Sequence, residues 1–226
     1  MEKEQSSKLE AVGELHEMGA IMNENQIIVS VGREHGSGGH FIAQQLADDL
    51  GIKLYDKEII EGVVDLGYSR EFVEEMDEKP INYFLSRRIG EFSNSPEEIV
   101  AEKVFEYIRK IAEQGESFVI VGRCAESVLR NYPHVISMFI MGDKKDKRER
   151  IERIYQMDEQ EAKDRIRRVD FKRKQYHNHY SDFKWGDSRG YDLLINSSRL
   201  GIEPTAKCLS AYVRAYMGAN GIKTQK

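Results

Sequence analysis

QIIVSVGREHGSGGHFIAQQLADDLGIKLYD, residues 26–56, decides the fold, and it reads as strand, glycine-rich turn, helix and second strand. Ile27, Ile28, Val29 and Val31 form a β-branched run too short for a helix, the composition of a strand buried on both faces of a parallel sheet. Gly36, Ser37, Gly38 and Gly39 crowd a turn, after which Phe41, Ile42, Leu46 and Leu50 recur at helical spacing as far as a stop at Gly51. Such a turn aims several backbone N–H groups, reinforced by the positive end of the helix, at one point that suits a phosphate. Glycine clusters also make plain tight turns, but the flanking strand and helix supply the context of a phosphate loop, so residues 33–40 are the expected phosphate site.

The rest of the chain bounds this reading. With 226 residues, 40% hydrophobic and 32% charged, it can bury one sizeable core carrying smaller insertions. A net charge of −5 argues against a dedicated nucleic-acid binder. No apolar run approaches membrane-spanning length and MEKEQSSKLE lacks a signal-peptide core, which gives the expectation of a soluble, cytoplasmic protein with no membrane partner. Cys124 and Cys208 have no CxxC spacing and are expected as reduced, partly buried thiols.

Residues 1–25, with Leu9, Val12, Leu15 and Met18 along one face, suggest a peripheral helix that packs on the core or pairs with another subunit. Residues 26–226 are expected as a single domain. Ile52 to Tyr55 make a second strand ending at Asp56, a carboxylate at the ligand edge of a parallel sheet or the N-cap of a helix starting at Lys57. Residues 57–95 read as short helices and a polar segment around Pro80, Arg87, Arg88 and Gly90, an insertion covering the core; the two arginines either reach an anion or are solvated. Ser95, Pro96 and Glu98 start a helix whose buried face is Val100, Val104, Ile108 and Ile111. Phe118 to Val121 form a third strand leading to Arg123, again at the ligand edge.

Val135 to Met141 form a fourth strand, with Asp143 as exit residue and helix cap. From Lys144 to Lys174 both charges are dense. A salt-bridged, solvated helix pair explains that, yet the excess of arginine in an acidic protein also suits a polyanionic ligand. His177 and His179 flank Asn178 and are expected to be solvated, with no metal. Tyr191 to Ile195 form a fifth strand, and Pro204 opens a closing helix with Leu209, Tyr212, Val213 and Tyr216 on its apolar face. Strands alternating with helices predict an α/β fold with a parallel, doubly wound sheet.

From Gln26 to about Leu209 the chain resembles the cytidylate kinase-like branch of the P-loop nucleoside monophosphate kinases. The resemblance is carried, in order, by SVGREHGSGG, LYDKEII, VIVGRCAESVL, RERIERI, RRVDFKRKQYHNHY and YDLLINSSRLGIE. It implies a three-layer P-loop NTPase fold: a five-stranded parallel sheet in 2-3-1-4-5 order with helices on both faces, a monophosphate-binding insertion near 57–95 and a lid near 150–182. It also implies ATP and Mg2+, with CMP or dCMP as acceptor. In that frame the loop Gly36, Ser37, Gly38, Gly39 and His40 would hold donor phosphates, and Asp56 and Lys57 would open the acceptor site. Arg123 matches the arginine of a GRD motif whose aspartate is Cys124 here. Asp170 and Arg173 match a DxxR pair near the cytosine and phosphate, and Arg150 and Arg153 match lid arginines that clamp the transferring group.

The chain departs from the pattern at the loop. Where a Walker loop carries Gly-Lys-Ser/Thr, this sequence has Gly38-Gly39-His40, and Arg33 replaces the first Walker glycine. The lysine that neutralises the transferred phosphate and the hydroxyl that ligates magnesium are both missing. One such cation is worth on the order of 4–7 kcal/mol of barrier. Transfer therefore needs a substitute, with Arg33 preferred over Lys57, Arg123 and His40 because it leaves the same loop. The other reading is a nucleotide-binding regulatory protein that keeps the fold with weak or no transfer.

Overall fold

In a computed structural model, residues 23–65, 67–76, 79 and 95–223 are described, with 88–89 and 92–93 described in backbone alone. The N-terminal helix expected before residue 23, and Pro80, Arg87 and Gly90, lie outside the described residues, as does the side chain of Arg88. Five strands form the central sheet: β1 (Ile28–Arg33), β2 (Lys53–Tyr55), β5 (Phe118–Val121), β6 (Val135–Met141) and β7 (Leu193–Asn196). They lie in the order β2-β5-β1-β6-β7, every pair parallel, which is the expected 2-3-1-4-5 arrangement. A separate antiparallel ribbon joins β3 (Arg88–Ile89) to β4 (Phe92–Ser93).

Side chains alternate across each strand, so the two faces of the sheet feed two cores. Val29, Val31, Val119, Val121, Ile136, Met138 and Ile140 meet α1 (Gly39–Leu50) and α8 (Ile202–Ala219) on one face. Ile28, Phe118 and Ile120 point the other way, onto α2 (Glu58–Val64), α3 (Arg70–Met76), α4 (Pro96–Glu113) and α5 (Ala125–Val128). A charged pair, α6 (Lys144–Tyr155) and α7 (Glu159–Tyr180), packs together, and Tyr176 of α7 joins this second core. Gly51 terminates α1 in the left-handed conformation, and Ser95 caps α4 with Pro96 at its first position, as their sequence signals require.

Several local expectations give way. Phe41 is 49% exposed, because α1 buries a stripe running through Ile42, Ala43, Leu46 and Ala47 and leaves position 41 outside it. Tyr212 stands outside the buried stripe of α8 for the same reason. The fifth strand starts at Leu193; Tyr191 is instead buried against Phe139, with ring centroids 5.1 Å apart. Cys124 is buried, whereas Cys208 is exposed, and neither forms a disulfide among the described residues. Among the described residues no helix is long and apolar enough to cross a membrane.

Candidate functional site

β1 ends at Arg33, and the chain turns through Glu34 to Gly38 into the first turn of α1. Gly36 and Gly38 adopt φ values of 83° and 81°, a region that side chains with a Cβ rarely enter. The turn is held from within and from below. The Ser37 hydroxyl donates to the Glu34 carbonyl (2.9 Å) and accepts from the Gly39 N–H (3.3 Å), while the Ser197 hydroxyl donates to the Ser37 carbonyl (2.6 Å). Gly39 lies so close to Arg33 that an added Cβ would come within 2.6 Å of the arginine's own Cβ. The result is a fixed ring of backbone at the positive end of a 12-residue helix, suited to an anion.

Cations from the α6–α7 pair close over this loop. The Lys147 side chain, 8% exposed, puts Nζ 3.0 Å from Glu34 Oε2 and 3.3 Å from Asp170 Oδ2. Its backbone presses on the turn as well, since a Cβ at Gly36 would fall 2.8 Å from the Lys147 carbonyl. Arg150 donates to the Gly36 carbonyl, and Arg173 donates to the Arg33 carbonyl at 3.4 Å. The other oxygen of Asp170 accepts the His35 N–H at 2.6 Å. His35 registers this field: burial first, then the charges of Arg173, Arg165, Arg33 and Lys147, bring its pKa from 6.5 down to about 4. Burial raises the pKa of Asp170, against the opposing pull of the His35 N–H and Lys147. Arg153, by contrast, is exposed; after burial it contributes to lowering the pKa of Arg150.

A second cluster sits where β2 and β5 end. Asp56 does not cap α2; it accepts Arg123 Nη1 at 2.6 Å and lies 2.8 Å from His40 Nδ1. Burial disfavours its charge, but His40, Arg123 and Arg33 together outweigh that and hold its pKa well below the ordinary carboxylate range. Lys57 is exposed at the start of α2. Arg123 and Cys124 both have positive φ, 56° and 54°, unusual for residues with a Cβ and typical of functional turns. Asp143 begins α6 without capping it through its side chain, and accepts Asn196 Nδ2 at 2.8 Å instead.

Arg33, Arg123 and Arg173 line a pocket together with Gly32, Gly122, Cys124, Glu126, Tyr176, His177, Trp185 and Tyr191. The expectation of a solvated histidine is corrected for His177, whereas His179 is exposed. His177 is 6% exposed, with Nε2 2.8 Å from Glu126 Oε1 and 3.2 Å from the Tyr191 hydroxyl. α7 buries one side of that run against Glu126 and Tyr191, and His179 lies 3.6 Å from Glu98. Cys124, Glu126 and His177 present potential metal-ligating atoms within 4.8 Å of one another; the glutamate–histidine contact is already a hydrogen bond.

The loop residues, Arg33, Arg150, Asp170 and Arg173 are thus brought together, and Asp56, Arg123 and His40 form an adjoining group. The aspartate of the DxxR pair is on the loop, and its arginine also lines the pocket. Lys147, Glu126 and His177 were missed as site residues by sequence reasoning, and His35 was included only through the span 33–40. For Lys147 the only signal was its place one turn ahead of Arg150 and Ile151, which turns it to the same face. Magnesium does not fit the residues at position 40. His40 has no hydroxyl to offer, and both oxygens of the neighbouring Asp56 already contact cationic or imidazole groups.

A model of the cytidylate kinase-like family matches residues 28–199. Among solved structures, an uncharacterized protein from Eubacterium ventriosum is 36% identical, with a TM-score of 0.65 over 84% of this chain and 99% of its own. Shikimate kinase from Bacteroides thetaiotaomicron is 12% identical, with a TM-score of 0.51 over 83% of this chain and 98% of its own, a likeness of fold alone. Nothing among curated proteins matches.

Proposed function

Because the chain belongs to the cytidylate kinase-like family, we propose that it is a phosphotransferase that moves the γ-phosphoryl group of ATP to a nucleoside monophosphate, with CMP and dCMP the preferred acceptors. The observation that carries this reading is the backbone turn 34–39, faced by Lys147, Arg150 and Arg173, beside a pocket lined by three arginines. The turn would take the donor's phosphates through its N–H groups. Arg33, Arg123 and Arg173 would take the acceptor's phosphate, and the hydrogen-bonded Glu126–His177 pair would face its ring.

The reaction is an in-line displacement. An oxygen of the acceptor phosphate bonds to the γ-phosphorus as the bond to the β,γ-bridging oxygen breaks, and that oxygen leaves on ADP. The protein contributes position and charge rather than covalent chemistry. Cations already held against the loop need little reorganisation as negative charge shifts towards the leaving group. α6 and α7 cover the loop and would keep water from competing as acceptor.

The test is ADP release from ATP with CMP, dCMP, UMP, AMP and GMP offered in turn. Turnover selective for CMP or dCMP is expected. Turnover with another monophosphate would move the acceptor assignment, and ATP binding with no turnover would replace transfer with nucleotide sensing.

A further inference from the structure

Asp170 occupies an unusual place for an acidic residue. Its carboxylate is largely buried at the loop, accepts the His35 N–H at 2.6 Å through one oxygen, and meets Lys147 Nζ at 3.3 Å through the other. A loop N–H and a buried ammonium are the partners that a bound phosphate oxygen would take. Glu34 holds the same ammonium at 3.0 Å, so Lys147 is paired with two carboxylates. The loop has no lysine of its own at position 39, and Lys147 is the ammonium that the fold delivers to it from α6.

We propose that the Asp170 carboxylate acts as a built-in stand-in for a donor phosphate, and that nucleotide binding displaces it from His35 and Lys147, making Lys147 the phosphate-binding cation of the lysine-free loop. The exchange rests on the reading of turn 34–39 as the donor-phosphate seat. Charge favours it. Asp170 shares Lys147 with Glu34, and burial first, then repulsion from Glu34, makes its negative charge costly to hold there. A phosphate arriving at the loop frees Asp170 to move outward on α7 and takes over two strong donors. Arg150 and Arg173, already bonded to the loop's carbonyls, flank the incoming group. The lid helices would then respond to occupancy of the loop directly, because the displaced residue belongs to one of them.

The competing explanation is a plain structural staple, in which Lys147 and Asp170 only fasten the helices to the loop. Equilibrium binding of ATP and of inorganic tripolyphosphate to the full chain separates the two, measured for wild type, Asp170→Asn, Lys147→Met and Lys147→Arg, with thermal melting of each. The Asn amide keeps an oxygen for the His35 N–H and loses the competing charge, so Asp170→Asn is expected to bind both ligands about tenfold more tightly. Lys147→Met should bind them at least about tenfold more weakly, and Lys147→Arg should recover part of that loss. Affinity unchanged or weakened in a folded Asp170→Asn protein would overturn the exchange, and unchanged affinity in a folded Lys147→Met protein would overturn the role of the lysine. In either case, wild type that binds ATP leaves the donor-site reading standing. Wild type that binds neither ligand overturns the exchange and the donor site together.

Discussion

Arg123 and Asp56 meet 2.6 Å apart across the ends of neighbouring strands β5 and β2, the arginine side chain 5% exposed and the aspartate 16%. The pair joins two elements that are far apart in sequence, and it does so beside the proposed acceptor pocket. Removing one partner of a buried pair strands the other's charge, so Arg123→Met should cost about 3–5 kcal/mol of stability. The double variant Arg123→Met/Asp56→Asn should cost clearly less than the two single losses added together. Urea unfolding of the four proteins measures that coupling, and strict additivity would show that the two charges do not interact.

His35 makes stability depend on pH. Its folded pKa of about 4 is below the unfolded value of 6.5, so between those values the unfolded chain binds more protons. Its share of stability is therefore complete above pH 6.5 and is lost as pH falls through about 4. After allowance for solvent screening of a half-buried ring, that share is about 1–2 kcal/mol. His35→Gln should flatten the dependence of the melting temperature on pH across this window; a curve parallel to wild type would mean that the ring charges as freely folded as unfolded.

Gly36 is required twice over. Its φ of 83° is costly for a residue with a Cβ, and that Cβ would sit 2.8 Å from the Lys147 carbonyl. Gly36→Ala should cost about 1–3 kcal/mol and push α6 off the loop. Nucleotide affinity should fall with it, whereas Gly218→Ala, where a Cβ meets nothing within 4 Å, should leave affinity unchanged.

Arg33 lies under Gly39 and lines the pocket, and its charge lowers the pKa of both His35 and Asp56. On the proposed placement of donor and acceptor, a cation there would stabilise the charge in transit. Arg33→Ala is expected to lower turnover by at least about a hundredfold, with the circular dichroism of the fold retained. Turnover equal to wild type would remove Arg33 from the transfer step.

The fold was legible where the signals were local. The β-branched run before the glycines, the stop at Gly51, the Ser95-Pro96 start and the boundaries of β6 all follow from residues within a few positions of one another. The strand order came from family resemblance, since spacing alone gives only alternation of strands and helices. The site was legible at its edge positions, Asp56 and Arg123, because a strand's end is readable, but their pairing was not. Lys147 and His177 stayed hidden for a common reason. Each sits in a highly charged helix whose sequence looks the same whether a given face meets water or the rest of the protein, and only tertiary packing decides which.

α7 carries Asp170, Arg173 and His177 at intervals of three and four residues, along one stripe of a single unbroken 22-residue helix. The first accepts the His35 N–H of the turn, the second reaches the Arg33 carbonyl and lines the pocket, and the third lines the pocket as well. Seven residues of helix advance about 10 Å. The helix thus works as a caliper, fixing the span between the two ends of the site by its own pitch. Side chains along it can change while that span is kept, but inserting or deleting one residue between 170 and 177 would swing one jaw by about 100° around the axis. Its register, more than the identity of any one side chain, is the quantity a working site has to keep.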